Sequence, residues 1–134
     1  MTKLSKIEGI GEAYAAKLAE AGIVTVKGLL EKGTTPKGRS KMAEKTDISP
    51  KLILTWVNHA DLFRVTGVGE EYADLLEAAG VDTVPELAQR NPENLHNKMA
   101  EVNQEKKLVR KLPSLTQVQD WVGQAKELPR KIKY

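Results

Sequence analysis

The chain has 134 residues, 40% hydrophobic and 29% charged, which is enough apolar content for a packed core in one ordinary domain or two small ones. It has no cysteine and only two histidines, His59 and His96, so disulfides, thiolate zinc centres, cysteine nucleophiles and a His-rich metal site are excluded. Lysine and arginine number 21 against 18 acidic residues, a net charge of +3 that permits an acidic partner without demanding one.

No apolar run approaches the ~20 residues that a membrane span needs, and residues 1–6 carry no apolar leader. The chain therefore reads as a soluble, cytoplasmic protein without a membrane partner.

The first predicted feature is the turn Gly9-Ile10-Gly11, which opens into a helix from Glu12 to Ala21. Tyr14, Ala15, Leu18 and Ala21 fall at i, i+1, i+4 and i+7, on one helical face. Gly22 stands where a left-handed C-terminal cap is wanted, and Thr25 stands where a second helix needs its N-cap. Thr35-Pro36 starts a third helix, with a cap followed by proline at the first helical position. Ser49-Pro50 starts a fourth, with Leu52, Ile53, Trp56, Val57, Ala60 and Phe63 at helical spacing.

The same order then recurs. Gly67-Val68-Gly69 leads into a helix from Glu70 to Ala79, Gly80 caps it, and Thr83-Val84-Pro85-Glu86 reads as a capping box. Asn91-Pro92 opens the next helix. Ser114, with Gln117 three residues on, opens the last, which presents Leu115, Val118, Trp121, Val122, Ala125 and Leu128. No segment alternates in the manner of a strand, so the class is all-α, with about eight short helices.

The recurrence is an internal duplication. Residues 6–32 and 64–90 share eleven identities in 27 positions, and several other pairs are Ile/Val or Lys/Arg exchanges. Lys41-Met42-Ala43-Glu44 returns as Lys98-Met99-Ala100-Glu101, and Trp56-Val57 returns as Trp121-Val122. The offset grows from 57 to 65 between these pairs, which places an insertion of about eight residues within 102–116. The repeats span 6–63 and 64–129, giving domains 1–63 and 64–134, the second with a basic C-terminal tail.

Two Gly-apolar-Gly turns, each leading into a helix with alanine four residues past the second glycine (Ala15, Ala73), resemble the helix-hairpin-helix motif. Over about residues 6–129 the chain also resembles a bacterial family of unknown function related to helix-hairpin-helix domains. The resemblance implies a pseudo-twofold tandem of SAM-like four-helix units. It also implies a function, the sequence-independent gripping of a DNA backbone. Glycines allow the backbone a close approach, and N–H groups at the following helix start can hold a phosphate oxygen.

Charge divides the two hairpins. In 6–32, Lys6, Lys17, Lys27 and Lys32 balance Glu8, Glu12, Glu20 and Glu31. In 64–90, Arg64 and Arg90 face Glu70, Glu71, Asp74, Glu77, Asp82 and Glu86, a net charge of −4. The lysine or arginine usual two residues past the second glycine is replaced by Ala13 and Glu71, and Glu12 and Glu70 precede them. A carboxylate there suits the helix dipole and opposes an anion.

The candidate nucleic-acid contacts are therefore Gly9, Ile10 and Gly11 with Lys37, Arg39 and Lys41 of the third helix, while Gly67, Val68 and Gly69 read as structural. Lys45 extends the first basic cluster. Lys106, Lys107, Arg110 and Lys111 form a second in the insertion, and Arg130, Lys131 and Lys133 form a basic tail.

Tyr14 and Tyr72 read as packing residues with exposed hydroxyls, Trp56 and Trp121 as core, and His96 as exposed. No phosphate-binding loop, nucleophile elbow or zinc-protease motif occurs. The expectation is a non-enzymatic module, without cofactor or metal, that binds double-stranded DNA weakly and non-specifically. The alternative is a protein-interaction or scaffold domain that keeps the fold without a DNA site. An accessory domain of a separately encoded nucleic-acid enzyme is a third reading.

Overall fold

The structure, a computed structural model, describes residues 3–7 and 9–134. Met1 and Thr2, part of the leader reading, and Glu8, counted in the charge of the first hairpin, lie outside the described residues. Among the described residues eight α-helices follow one another: α1 (Glu12–Glu20), α2 (Val26–Lys32), α3 (Pro36–Thr46), α4 (Pro50–Leu62), α5 (Glu70–Ala78), α6 (Val84–Ala88), α7 (Pro92–Lys106) and α8 (Leu115–Glu127). A 3-10 turn at Leu4–Lys6 precedes them, and among the described residues extended backbone pairs only at an isolated Lys3–Thr25 bridge. The protein is all-helical among the described residues, and no helix there is long and apolar enough to cross a membrane.

The caps act where the sequence places them. Thr25 accepts from Gly28 N at 3.0 Å, Thr35 from Gly38 N at 3.1 Å and Asn91 from Asn94 N at 3.0 Å. Each satisfies one of the N–H groups that a helix start leaves without an internal partner. Ser114 and Gln117 form the reciprocal box, at 3.1 Å and 2.9 Å. At Thr83 only one arm of the box is present, with Glu86 N donating at 3.4 Å; the Glu86 carboxylate lies 3.5 Å from Arg90 instead.

The chain divides into two compact units, residues 1–61 with 131–134, and residues 62–130. In the first, α3 packs on α1 and α2, and the core includes Leu18, Ile23, Leu29, Met42, Ile53, Trp56 and Val57. Residues 131–134, assigned by sequence to the second repeat as a basic tail, belong to this first unit. Ile132 is buried, Lys133 N donates to Thr34 O at 2.7 Å, and the Tyr134 hydroxyl donates to Asn58 Oδ1 at 2.8 Å.

In the second unit, α8 packs on α6 and α7, and α7 packs on α5. Its core joins Leu75, Leu76, Leu87, Leu95, Met99, Val118, Trp121 and Val122. The insertion divides between a longer α7 and a longer connection. α7 has 15 residues against 11 in α3, and 107–114 replaces the three residues 47–49. Both connections leave their helix through a left-handed residue, Asp47 (φ 57°) and Lys107 (φ 49°).

Candidate nucleic-acid interface

In the first unit, the turn before α1 is closed by Ile10 N donating to Ile7 O at 3.1 Å. Gly9 adopts φ 92°, a conformation that strains any residue with a Cβ, and a Cβ there would sit 3.3 Å from Trp56 Nε1. The tryptophan thus lies directly against the turn, and Tyr14 meets its ring edge-on at a centroid distance of 5.1 Å. Gly9 and Gly11 are exposed, nothing lies within 4 Å of a Cβ built at Gly11, and Ile10 points into the core. Gly11 caps α1 without a side-chain hydrogen bond, and the exposed Glu12 follows it.

The second unit has its own turn of this kind. Val68 N donates to Val65 O at 3.1 Å, Gly67 has φ 97°, and a Cβ there would sit 3.0 Å from Trp121 Nε1. Tyr72 lies 5.2 Å from the Trp121 ring. Gln124 accepts from Thr66 N at 2.9 Å and donates to Thr66 O at 3.0 Å, so both polar groups of that peptide residue are satisfied within the unit. Glu70 and Glu71 follow at the helix start.

The basic residues of α3 separate by face. Lys37, Lys41 and Lys45 are exposed and recur at i, i+4 and i+8, one stripe along the helix. Arg39 lies on another face and is only 7% exposed. Its guanidinium donates to Gly33 O at 2.8 Å and to Lys133 O at 2.9 Å, and its Cζ lies 5.9 Å from the centre of the Tyr134 ring. Two carbonyls and a ring occupy this guanidinium, so it is not offered to a phosphate beside Lys37 and Lys41. Charge and spacing alone do not separate it from its neighbours. The signal is a partner 94 residues further along the chain.

The second basic cluster sits at the end of α7 and on the held loop that follows it. Asn103, in the last turn of α7, accepts from Val109 N at 3.0 Å and donates to Val109 O at 3.1 Å. The Tyr72 hydroxyl donates to Lys111 O at 3.2 Å. His96 Nε2 lies 2.9 Å from Pro113 O; a carbonyl only accepts, so this nitrogen carries the proton. His96, expected to be exposed, is half-buried by this contact.

Val109 and Pro113 are buried, and Leu108 and Leu112 pack on the core, while Lys106, Lys107, Arg110 and Lys111 all face outward. Sequence reasoning found these cations but not Asn103, Tyr72 and His96 as the residues that hold their loop. Trp56 and Trp121 are each 1% exposed. His59 is buried, and among the described residues no group of three His, Asp or Glu side chains could hold a metal ion.

A family described as a domain of unknown function (DUF4332) matches residues 8–128. The chain belongs to that family. The match takes in both hairpin turns, α1 through α8 and the Asn103 clamp of this DUF4332 chain, and it stops before Ile132 and Tyr134. No solved structure matches the chain.

Proposed function

We propose that the protein is a non-enzymatic module of tandem helix-hairpin-helix type that binds the backbone of double-stranded DNA without reading sequence. The single observation that carries this reading is the first hairpin. It is an exposed glycine turn, closed by its own backbone, followed by a helix whose N-cap residue, Gly11, supplies no side-chain cap. The pairing of modules is supported by the recurrence of positive φ at Gly9 and Gly67 and at Gly22 and Gly80. The tryptophan seated under each turn recurs as well.

Binding is carried by Gly9 and Gly11 with Lys37 and Lys41, while Ile10 anchors the turn in the core; Lys106 at the end of α7 and the loop cations Lys107, Arg110 and Lys111 add a second, sequence-independent contact. Phosphate contacts of this type supply affinity but no base discrimination. Gly67, Val68 and Gly69 serve structure, because Gln124 holds Thr66 and the surrounding charge is acidic.

A protein-partner reading draws on two observations: Glu12 is exposed beside the first hairpin, and Val24, 62% exposed, lies in the same unit. Fluorescence anisotropy with a labelled random-sequence duplex at low salt separates the two. DNA binding predicts saturable binding that Glu12→Lys strengthens and that Glu70→Lys changes less. A protein-interaction domain shows no binding with either variant.

A further inference from the structure

The first unit contains a pocket of about 230 Å3. Buried Ile23 and Met42, with half-buried Ala21, form its apolar floor, and exposed Lys32, Lys41 and Lys45 stand around it with Gly38. Two glycines bring these groups together. Gly22, at φ 83°, reverses the chain after α1 and sets Ala21 and Ile23 side by side. Gly38 has no side chain because one would collide with the Lys32 carbonyl, and this close approach lets the Lys41–Lys45 stripe reach the end of α2. Among the described residues no carboxylate pairs with Lys32, Lys41 or Lys45.

The second unit lacks this arrangement. There Arg90 donates to Gly80 O at 2.9 Å and pairs with Glu86 at 3.5 Å, and Lys98 pairs with Glu101 at 4.0 Å. Its third helix buries Leu95, Met99 and Val102, three apolar side chains, where α3 buries Arg39, Met42 and Thr46. The cationic pocket is thus a property of particular residues in the first unit, not of the way such a unit packs.

We infer that this pocket binds a small organic phosphate, a phosphomonoester carried on a short apolar or aromatic body. Three cations around one opening repel each other, and a dianionic phosphate relieves that repulsion more fully than a single carboxylate. Lysine ammoniums hold phosphate as point charges without requiring a fixed fork geometry. The floor offers the body an apolar surface, and the volume suffices for one ring, since a cavity of about 150 Å3 can hold benzene. The phosphate can belong to a free metabolite or to the end of a nucleic-acid strand, which share this chemistry.

The test follows the Met42 methyl and Gly38 amide signals by NMR during titration with phenyl phosphate, without DNA, so that its outcome is independent of duplex binding. The expected result is saturable shifts at both residues and at least tenfold weaker binding of inorganic phosphate. Lys41→Gln with Lys45→Gln, both exposed and with an unchanged thermal midpoint as the control, weakens phenyl phosphate at least tenfold. Ala21→Leu fills the floor and removes the preference for phenyl phosphate.

Competition then identifies the source. Displacement by a 5′-phosphorylated oligonucleotide but not by its unphosphorylated form indicates a strand end, and displacement by neither indicates a free metabolite. Three outcomes overturn the inference: still signals at Met42 and Gly38, unchanged affinity in the double lysine variant, or equal displacement by both oligonucleotides.

Discussion

α3 and α7 both begin with a capped proline and both turn a methionine inward, yet Met42 is flanked by Arg39 and Thr46 while Met99 is flanked by Leu95 and Val102. An apolar face needs only to be covered. A polar face must also have its donors satisfied, because an unpaired buried donor costs about 1–3 kcal/mol, and more when charged. The second unit meets the simpler requirement with its own α8, which covers α7. The first meets the harder one by taking residues 131–134, whose Lys133 carbonyl and Tyr134 ring complete the surroundings of Arg39. One unit is thus closed by a contiguous segment, and the other depends on a distant one.

This comparison can be broken most sharply at the tryptophans, which lie one in each unit. Trp56→Ala and Trp121→Ala are each expected to cost roughly 3–5 kcal/mol, measured by urea denaturation. A near-neutral Trp56→Ala would mean that Trp56 is not the anchor its burial implies.

Deleting residues 131–134 tests the dependence itself. Loss of buried Ile132 and of an acceptor for Arg39 should cost the first unit about 2–4 kcal/mol. With Trp121→Phe as background, Trp56 fluorescence reports the first unit; with Trp56→Phe, Trp121 reports the second, which should hardly change. Equal loss in both would contradict the division.

Asn103→Ala should cost the second unit about 1–3 kcal/mol by freeing both polar groups of Val109, and faster amide exchange at Val109 is the expected signature. The smallest effect compares the turns. Gly9→Ala and Gly67→Ala each force a Cβ into left-handed backbone, at about 1–2 kcal/mol. Gly67→Ala should be the worse of the two, because its Cβ meets Trp121 at 3.0 Å against 3.3 Å for Gly9 and Trp56.

Helix starts were legible because their signals are local. Thr35-Pro36, Asn91-Pro92 and the Ser114–Gln117 pair act within a single turn, and the helices begin at those residues. The glycines after α1 and α5 were legible for the same reason, since only a left-handed residue ends a helix in that way. What escaped depends on distant partners. Nothing near Arg39 announces the Lys133 carbonyl, and nothing near Lys131 or Lys133 shows that these two residues lie in the first unit.

The candidate site was legible as charge but not as geometry. Lys37, Lys41 and Lys45 share a stripe that i, i+4 spacing foretells, whereas Asn103, Tyr72 and His96 hold the other cationic loop through backbone carbonyls and N–H groups that no side-chain pattern encodes.

The most direct test of backbone binding is the salt dependence of anisotropy with a labelled random-sequence duplex. Counterion release gives a log–log slope of about −0.9 per phosphate neutralised, and the few exposed cations available on each surface predict a slope on the order of −3 to −4. Lys37→Glu with Lys41→Glu should abolish the binding by the first unit while leaving the thermal midpoint unchanged, since both side chains are exposed. No binding at low salt, or binding indifferent to these two substitutions and to Glu12→Lys, would contradict the account and leave a protein partner as the function of the fold.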